Sequence, residues 1–231
     1  PFHFDRKTQY MALVPKKSYG YITGSIKTSK GETYGEEKFR EHLEHVVLPY
    51  SQASAYQYDG EGYMVGALAR VNLAKGLLHR ETKKSLKSLG DILNLFPSTD
   101  IFYNNLAQAI EVLHSVDESI DLLNNNNFAV EPLIKVAPRE GVGIGVIEAP
   151  RGTLYHKVVV GADGLVKEGE VIVPTGQNQI NIERDVATLV QNLLSDMPKE
   201  KIEFEIEKLI RAYDPCMSCA AHFLKVDWLK S

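Results

Sequence analysis

Leu106, Ala109, Ile110, Leu113, Val116, Ile120 and Leu123 recur at the three- and four-residue steps of an α-helix, over about six turns. A helix that long with one apolar stripe is not stable alone in water; it belongs in a bundle or a large packed core. Ser98 and Thr99 are its capping candidates, and the run Asn124-Asn-Asn-Asn127 stops it. The chain of 231 residues is long enough to supply such a core.

Other segments supply the packing partners. A helix is expected from Gly35 to about Pro49, with Phe39, Leu43, Val46, Val47 and Tyr50 on one face, and another over roughly Thr82 to Phe96, with Leu86, Leu89, Ile92 and Leu93 inward. Ile182, Val186, Leu189, Val190, Leu193 and Leu194 repeat the spacing, as do Ile202, Ile206, Leu209, Ile210 and Tyr213 after Pro198. The first 30 residues read as short extended pieces, including Tyr10–Val14 and Tyr19–Gly24. Tyr50 to Gly66, rich in Tyr, Ser, Gln and Gly, reads as an ordered surface loop. Val142, Ile144 and Val146 alternate with glycines. Thr153–Val160 and Leu165–Val173 are β-rich runs joined by Gly161-Ala-Asp-Gly164, which predicts a hairpin. The sum is one α+β unit over 1–231, mostly helical as a long-helix bundle, with a small antiparallel sheet or hairpin.

Composition narrows the function classes. The net charge of −4, with no basic arm or stripe, speaks against a nucleic-acid partner. No apolar run reaches the roughly 18 residues of a membrane span, and no signal peptide opens the chain. Two cysteines make no disulfide framework, so a cytoplasmic location is the simplest expectation. The start at Pro1 suggests a portion of a longer product.

Both cysteines fall in Arg211-Ala-Tyr-Asp-Pro-Cys-Met-Ser-Cys-Ala-Ala-His222. Pro215 biases Asp214 away from helix, so the last helix delivers Cys216 and Cys219 at its C-terminal end. Thiolates three apart, with an imidazole three further on, look like metal ligands. A structural zinc site would need a second such pair, and the chain has none. A thioredoxin-like pair would start a helix, where its dipole lowers a thiol pKa. Metal ligation shared with another segment or chain fits better, against the bland reading of two inert cysteines. Other candidates have bland readings too: Arg151 as a turn residue after Pro150, Thr175-Gly176 as the end of a strand, Asp214 as a helix stop, His156 as a strand residue, and His42 with His45 as a solvated helix face.

Taken together, the segments carry a resemblance. Ile210-Arg-Ala-Tyr-Asp-Pro-Cys-Met-Ser-Cys-Ala-Ala-His222 resembles the C-terminal signature of the nickel–iron hydrogenase large subunit. Glu148-Ala-Pro-Arg-Gly-Thr-Leu-Tyr-His156 resembles the segment arching over its metal centre, and Val173-Pro-Thr-Gly-Gln-Asn178 the stretch that holds the iron's diatomic ligands. Val65-Gly-Ala-Leu-Ala-Arg-Val-Asn72 resembles an internal motif of the family, with Ala67 where proline is usual. These lie in family order between about residues 60 and 222.

The resemblance implies a nickel–iron centre with CO and cyanide ligands on iron. Cys216 matches its terminal nickel ligand and Cys219 the thiolate bridging nickel and iron. Arg151, following Pro150, matches the guanidinium above the open position, a permanently charged donor suited to a cyanide. Thr175 matches the donor to the other cyanide, Asp214 the carboxylate that orients Arg151, and His222 a ligand to a second, structural metal, magnesium or iron. The implied activity is reversible heterolytic cleavage of dihydrogen, with Cys216, Arg151 and Asp214 as the catalytic set.

The family also needs a second Cys-x-x-Cys, near its N-terminus, which these residues lack. Implied partners are therefore the N-terminal part of the large subunit, or a separate chain bringing that pair, and an iron–sulfur small subunit with electron-acceptor subunits. The tail 223–231 extends past the position where many relatives are cut, which implies a maturation chaperone and endopeptidase or membership of the uncut group. A non-catalytic scaffold form and a zinc-binding module are the rival readings.

Overall fold

The computed structural model describes residues 4–49, 51, 54–126, 128–134, 136–220 and 225–229. At its centre is β1 (Gln9–Val14), buried at every position. It pairs antiparallel with β2 (Ser25–Thr28), Met11 facing Thr28, and β2 with β3 (Thr33–Tyr34). Successive side chains of a strand face opposite ways. Tyr10, Ala12 and Val14 therefore join one core and Met11 and Leu13 the other.

The first core is helical. It gathers Leu68 and Val71 of α1 (Ala67–Ala74), Ile110 of α3 (Tyr103–Asn125), Leu189 of α4 (Pro174–Leu193) and Leu209 of α5 (Lys199–Ala212). The second core packs Phe39, Tyr58, Tyr63 and Val65 against Val146, Tyr155 and Ile172. Those last three belong to an antiparallel sheet of β7 (Gly141–Ala149), β8 (Gly152–Val160) and β9 (Val166–Ile172). The expected hairpin is β8–β9, closed by Gly161 N–H on the Leu165 carbonyl at 2.9 Å. The architecture is α+β, as expected.

Several local expectations are corrected. Glu36–His42 forms a 3-10 helix, and the chain then turns into β4 (Leu43–Val46), paired with β5 (Ala55–Tyr58). Leu43-Glu-His-Val46 buries Leu43 and exposes Glu44 and His45, a pattern that also suits a strand once β5 is alongside. His42 and His45 thus share no helix; His42 stacks on Tyr34 at 4.2 Å and His45 leans on Tyr56. The stretch expected as a surface loop contains β5 and β6 (Tyr63–Met64), with Tyr56, Tyr58 and Tyr63 buried. Tyr19–Gly24 forms no strand. The helix expected over Thr82–Phe96 is α2 (Arg80–Ser88), broken at Gly90 and Asp91, both at positive φ, before a short 3-10 turn. Ser98 and Thr99 do not cap α3: Ser98 Oγ accepts from Asp100 N–H and Thr99 donates to Asp5. Nor is the α3 stripe covered along its length, since Val116 is 51% and Leu123 69% exposed. No helix among the described residues is long and apolar enough to cross a membrane.

Candidate metal centre

Three chain segments meet where α5 ends. Asn104, at the start of α3, donates to the Ala212 carbonyl at 2.8 Å and accepts from Leu68 N–H at 2.9 Å, fixing the end of α5 against α1 and α3. Tyr213 donates to Asp185 of α4, which also receives Arg6. Burial raises the Asp185 carboxyl against the pull of both hydrogen bonds. Asp214 then adopts a left-handed backbone (φ 51), a conformation open to a short polar side chain and unfavourable to most others. Pro215 cannot continue a helix, and Cys216–Cys219 forms a turn with Cys219 N–H on the Cys216 carbonyl at 3.3 Å.

The second segment is the β7–β8 connection, a two-residue turn with Ala149 facing Gly152, so Pro150 and Arg151 are its tip. Gly152 has φ 135, and a Cβ there would lie 2.4 Å from Val65 Cγ2. Only glycine lets the tip close this tightly. Arg151 Nε donates to the Asp214 carbonyl at 2.9 Å, and Nη2 lies 3.3 Å from Asp214 Oδ1. Gln108 of α3 holds the other carboxylate oxygen at 3.0 Å.

The third segment is the first turn of α4, where Pro174 sits at a first-turn position that needs no N–H. Thr175, expected at a strand end on the bland reading, lies in this turn, and its Oγ1 accepts from Cys216 N–H at 3.1 Å. Gln177 donates to the Thr153 carbonyl at 2.6 Å, and Asn178 makes two hydrogen bonds with Val65 backbone. Buried amides therefore lock the turn to β8 and to the entry of α1.

The structure brings Arg151, Asp214, Thr175, Cys216 and Cys219 together, with Pro150 beside Arg151 at the turn. His222 lies outside the described residues. His156 is an exposed strand residue on β8.

The two cysteines are free, with sulfurs 2.6 Å apart. A hydrogen bond from Cys219, then one from Ser218, favours the thiolate of Cys216 and brings its pKa down to about 7; the same contact pushes Cys219 up. Two adjoining thiolates at a partly open surface suit a soft, bridging metal site. Among the described residues no group of three His, Cys, Asp or Glu is gathered to hold a metal. The donor set fits half of a four-thiolate centre.

One buried constellation joins residues that the sequence offers only as unassigned members of two quoted motifs, Arg70 and Glu148, to a third that it does not single out. Arg70 of α1, 2% exposed, holds Glu111 of α3 through Nε and Nη2, at 2.6 and 2.7 Å, and Glu148 of β7 through Nη1 at 2.8 Å. Burial opposes the Arg70 charge, but Glu111 and Glu148 outweigh it and keep the guanidinium protonated. Burial raises Glu148 against the opposing pull of Arg70. Besides the two motifs that contain Arg70 and Glu148, the signal available in the sequence is Glu111, which with His114 interrupts the apolar face of α3.

The family model described as nickel-dependent hydrogenase matches residues 18–222. The sulfhydrogenase 1 subunit alpha of Pyrococcus furiosus is 33% identical over 94% of this chain and 50% of its own length. The NAD-reducing hydrogenase HoxS subunit beta of Cupriavidus necator is 33% identical over 69% of this chain and 34% of its own. Among solved structures, an NAD+-reducing NiFe-hydrogenase in the H2-reduced state is 27% identical, with a TM-score of 0.72 over 94% of this chain and 51% of that one. A NiFeSe hydrogenase from Desulfomicrobium baculatum, 19% identical with a TM-score of 0.65 over 94% of this chain and 52% of that one, shares the fold. The chain spans about half the length of the curated relatives it matches.

Proposed function

Because this chain belongs to the nickel-dependent hydrogenase family, we propose that it is the C-terminal portion of a hydrogenase large subunit and takes part in reversible cleavage of dihydrogen. The observation carrying this reading is the convergence of Arg151, Asp214 and Thr175 on the cysteine turn. Cys216 would hold nickel, and Cys219 would bridge nickel and an iron bearing CO and cyanide. His222 would hold a second metal, magnesium or iron. When bound, the centre supplies the Lewis acidity and electron storage that polarise dihydrogen.

The chain's own residues do the rest. Cys216 Sγ receives the proton, with the Asp214 carboxylate as the alternative acceptor and the charged Arg151 as the group that neighbours both. Thr175 fixes the Cys216 backbone, and so the point from which its sulfur projects. Asp214 orients Arg151 through its carbonyl and carboxylate. The guanidinium and the Thr175 hydroxyl are suited to receive anionic diatomic ligands.

The remaining thiolates come from the N-terminal part of the subunit or from a separate chain. The uncovered half of the α3 stripe supports this: a groove of about 580 Å³ runs from Pro150 and Arg70 past Val112 and Val116 to Leu123, and a large apolar face ending at the site suits the rest of the subunit. Electrons leave through an iron–sulfur small subunit and acceptor subunits, and the assembly works in the cytoplasm. A maturation chaperone and endopeptidase would act on the tail 223–231.

Exchange between dihydrogen and D2O by the assembled enzyme tests the reading. Exchange is expected in the native protein and absent in Cys219→Ser. An assembly that binds neither nickel nor iron would establish the scaffold alternative, and zinc alone the zinc-module one.

A further inference from the structure

All five N–H donors of Arg70 are used. Three serve the carboxylates of Glu111 and Glu148. The other two reach successive backbone carbonyls: Nη1 to Ala149 at 3.0 Å and Nη2 to Pro150 at 2.9 Å. Those are the two residues immediately before Arg151. A guanidinium buried only to neutralise carboxylates needs no such contacts, and a lysine could not span both carboxylates and both carbonyls at once.

The surroundings brace the same turn. Glu148 Oε1 accepts from Leu13 N–H and from Thr153 Oγ1, each at 2.7 Å, so strand β1 and both stems of the hairpin share one carboxylate. Glu111 is held in turn by the Tyr19 hydroxyl at 2.5 Å. At the entry to α1, a Cβ on Gly66 would meet the Arg151 carbonyl at 3.1 Å, so α1 abuts the turn at Gly66 and grips it at Arg70.

We infer that Arg70 is a positioning residue for Arg151: its paired hydrogen bonds to the Ala149 and Pro150 carbonyls set the hairpin tip from which Arg151 reaches Asp214 and the cysteine turn. Removing those bonds leaves the two carbonyls without the guanidinium that holds them and frees the tip to shift. The functional part of this inference rests on the hydrogenase reading; the structural part does not.

The test uses Arg70→Lys, which keeps the cation between the carboxylates but cannot make both carbonyl bonds, and Glu111→Gln as a milder variant that loosens the grip on Arg70 if the first does not fold. In the metal-free chain, amide hydrogen exchange over Ala149–Gly152 is expected to accelerate at least tenfold relative to the exchange of α5, a scale set by about 1.4 kcal/mol of lost protection. In the assembled enzyme, turnover is expected to fall roughly ten- to a hundredfold, the range a small misplacement of a catalytic group produces. The infrared bands of the iron's diatomic ligands should move as they do in Arg151→Lys. Adding Arg70→Lys to Arg151→Lys should then cost nothing further, because both changes remove one function. Unchanged exchange in the turn overturns the inference whatever the metal content. Losses that add in the double variant, or bands that stay fixed, overturn the link to Arg151. An assembled native protein without nickel, with faster exchange still seen in the variant, would defeat the hydrogenase reading and leave the clamp standing.

Discussion

Thr175 accepts a hydrogen bond from the backbone N–H of Cys216 at 3.1 Å, joining the first turn of one helix to the turn beyond the end of another across 41 positions of sequence. The contact sets where the first sulfur starts from, and it depends on a single hydroxyl. Thr175→Val keeps the shape and removes the acceptor. The expected result is a loss of about 0.5–1.5 kcal/mol, the usual net contribution of one hydrogen bond, measured by denaturant unfolding of the metal-free chain. Thr175→Ser should recover most of it.

Gly152→Ala should be damaging out of proportion to one methyl. The residue combines a positive φ with a Cβ position 2.4 Å from Val65 Cγ2, so strain and overpacking act together. A destabilisation of about 2–4 kcal/mol is expected from equilibrium unfolding. Alanine at exposed Gly143, where a Cβ meets nothing within 4 Å, serves as the control and should be near neutral.

His114 gives stability a pH dependence. Burial lowers its pKa below the ordinary 6.5, against the opposing charge of Glu118, and its Nδ1 is occupied as acceptor for His79 N–H at 3.1 Å. Between the lowered folded value and 6.5 the unfolded chain binds more protons than the native one, so this term rises with pH across that window. Unfolding free energies at about pH 5 and pH 7 should show the increase, and His114→Gln should reduce it. An unchanged slope in the variant would contradict the assignment.

The unequal thiols make a chemical prediction for the metal-free chain. Cys216, drawn down to about 7, should react with iodoacetamide ahead of Cys219, which is pushed up. Peptide mapping after a short pulse reads the order. Ser218→Ala removes one of the hydrogen bonds favouring the Cys216 thiolate and should move its alkylation profile to higher pH.

Where local patterning specifies the fold, the amino-acid order alone makes it legible. The β8–β9 hairpin carries its turn in Gly161–Gly164, and the last two helices announce themselves through periodic apolar residues and Pro198. The cysteine turn is legible too, because Pro215 forces the chain out of α5. Elements that escape such a reading are decided by partners distant in sequence. Leu43–Val46 becomes a strand because β5 is alongside it. Tyr56, Tyr58 and Tyr63 resemble loop residues because their hydroxyls read as polar, yet their rings fill a core. Arg70 meets Glu111 and Glu148 across 41 and 78 positions, separations at which helical or strand spacing says nothing. The site residues on α4 and on the hairpin tip are legible only as a set of motifs in order. Their grouping in space depends on buried Asn104, Gln177 and Asn178, which no spacing marks as structural.

The most direct measurement is elemental analysis of this chain purified in its native assembly, alongside Cys216→Ser and Cys219→Ser. Nickel in the native protein, with iron in excess of it because the iron–sulfur partner also carries iron, and nickel lost from either variant, is the expected result. Native material that folds and assembles without nickel, or a variant that keeps its nickel after losing its sulfur, would contradict the assignment of Cys216 and Cys219 as metal ligands.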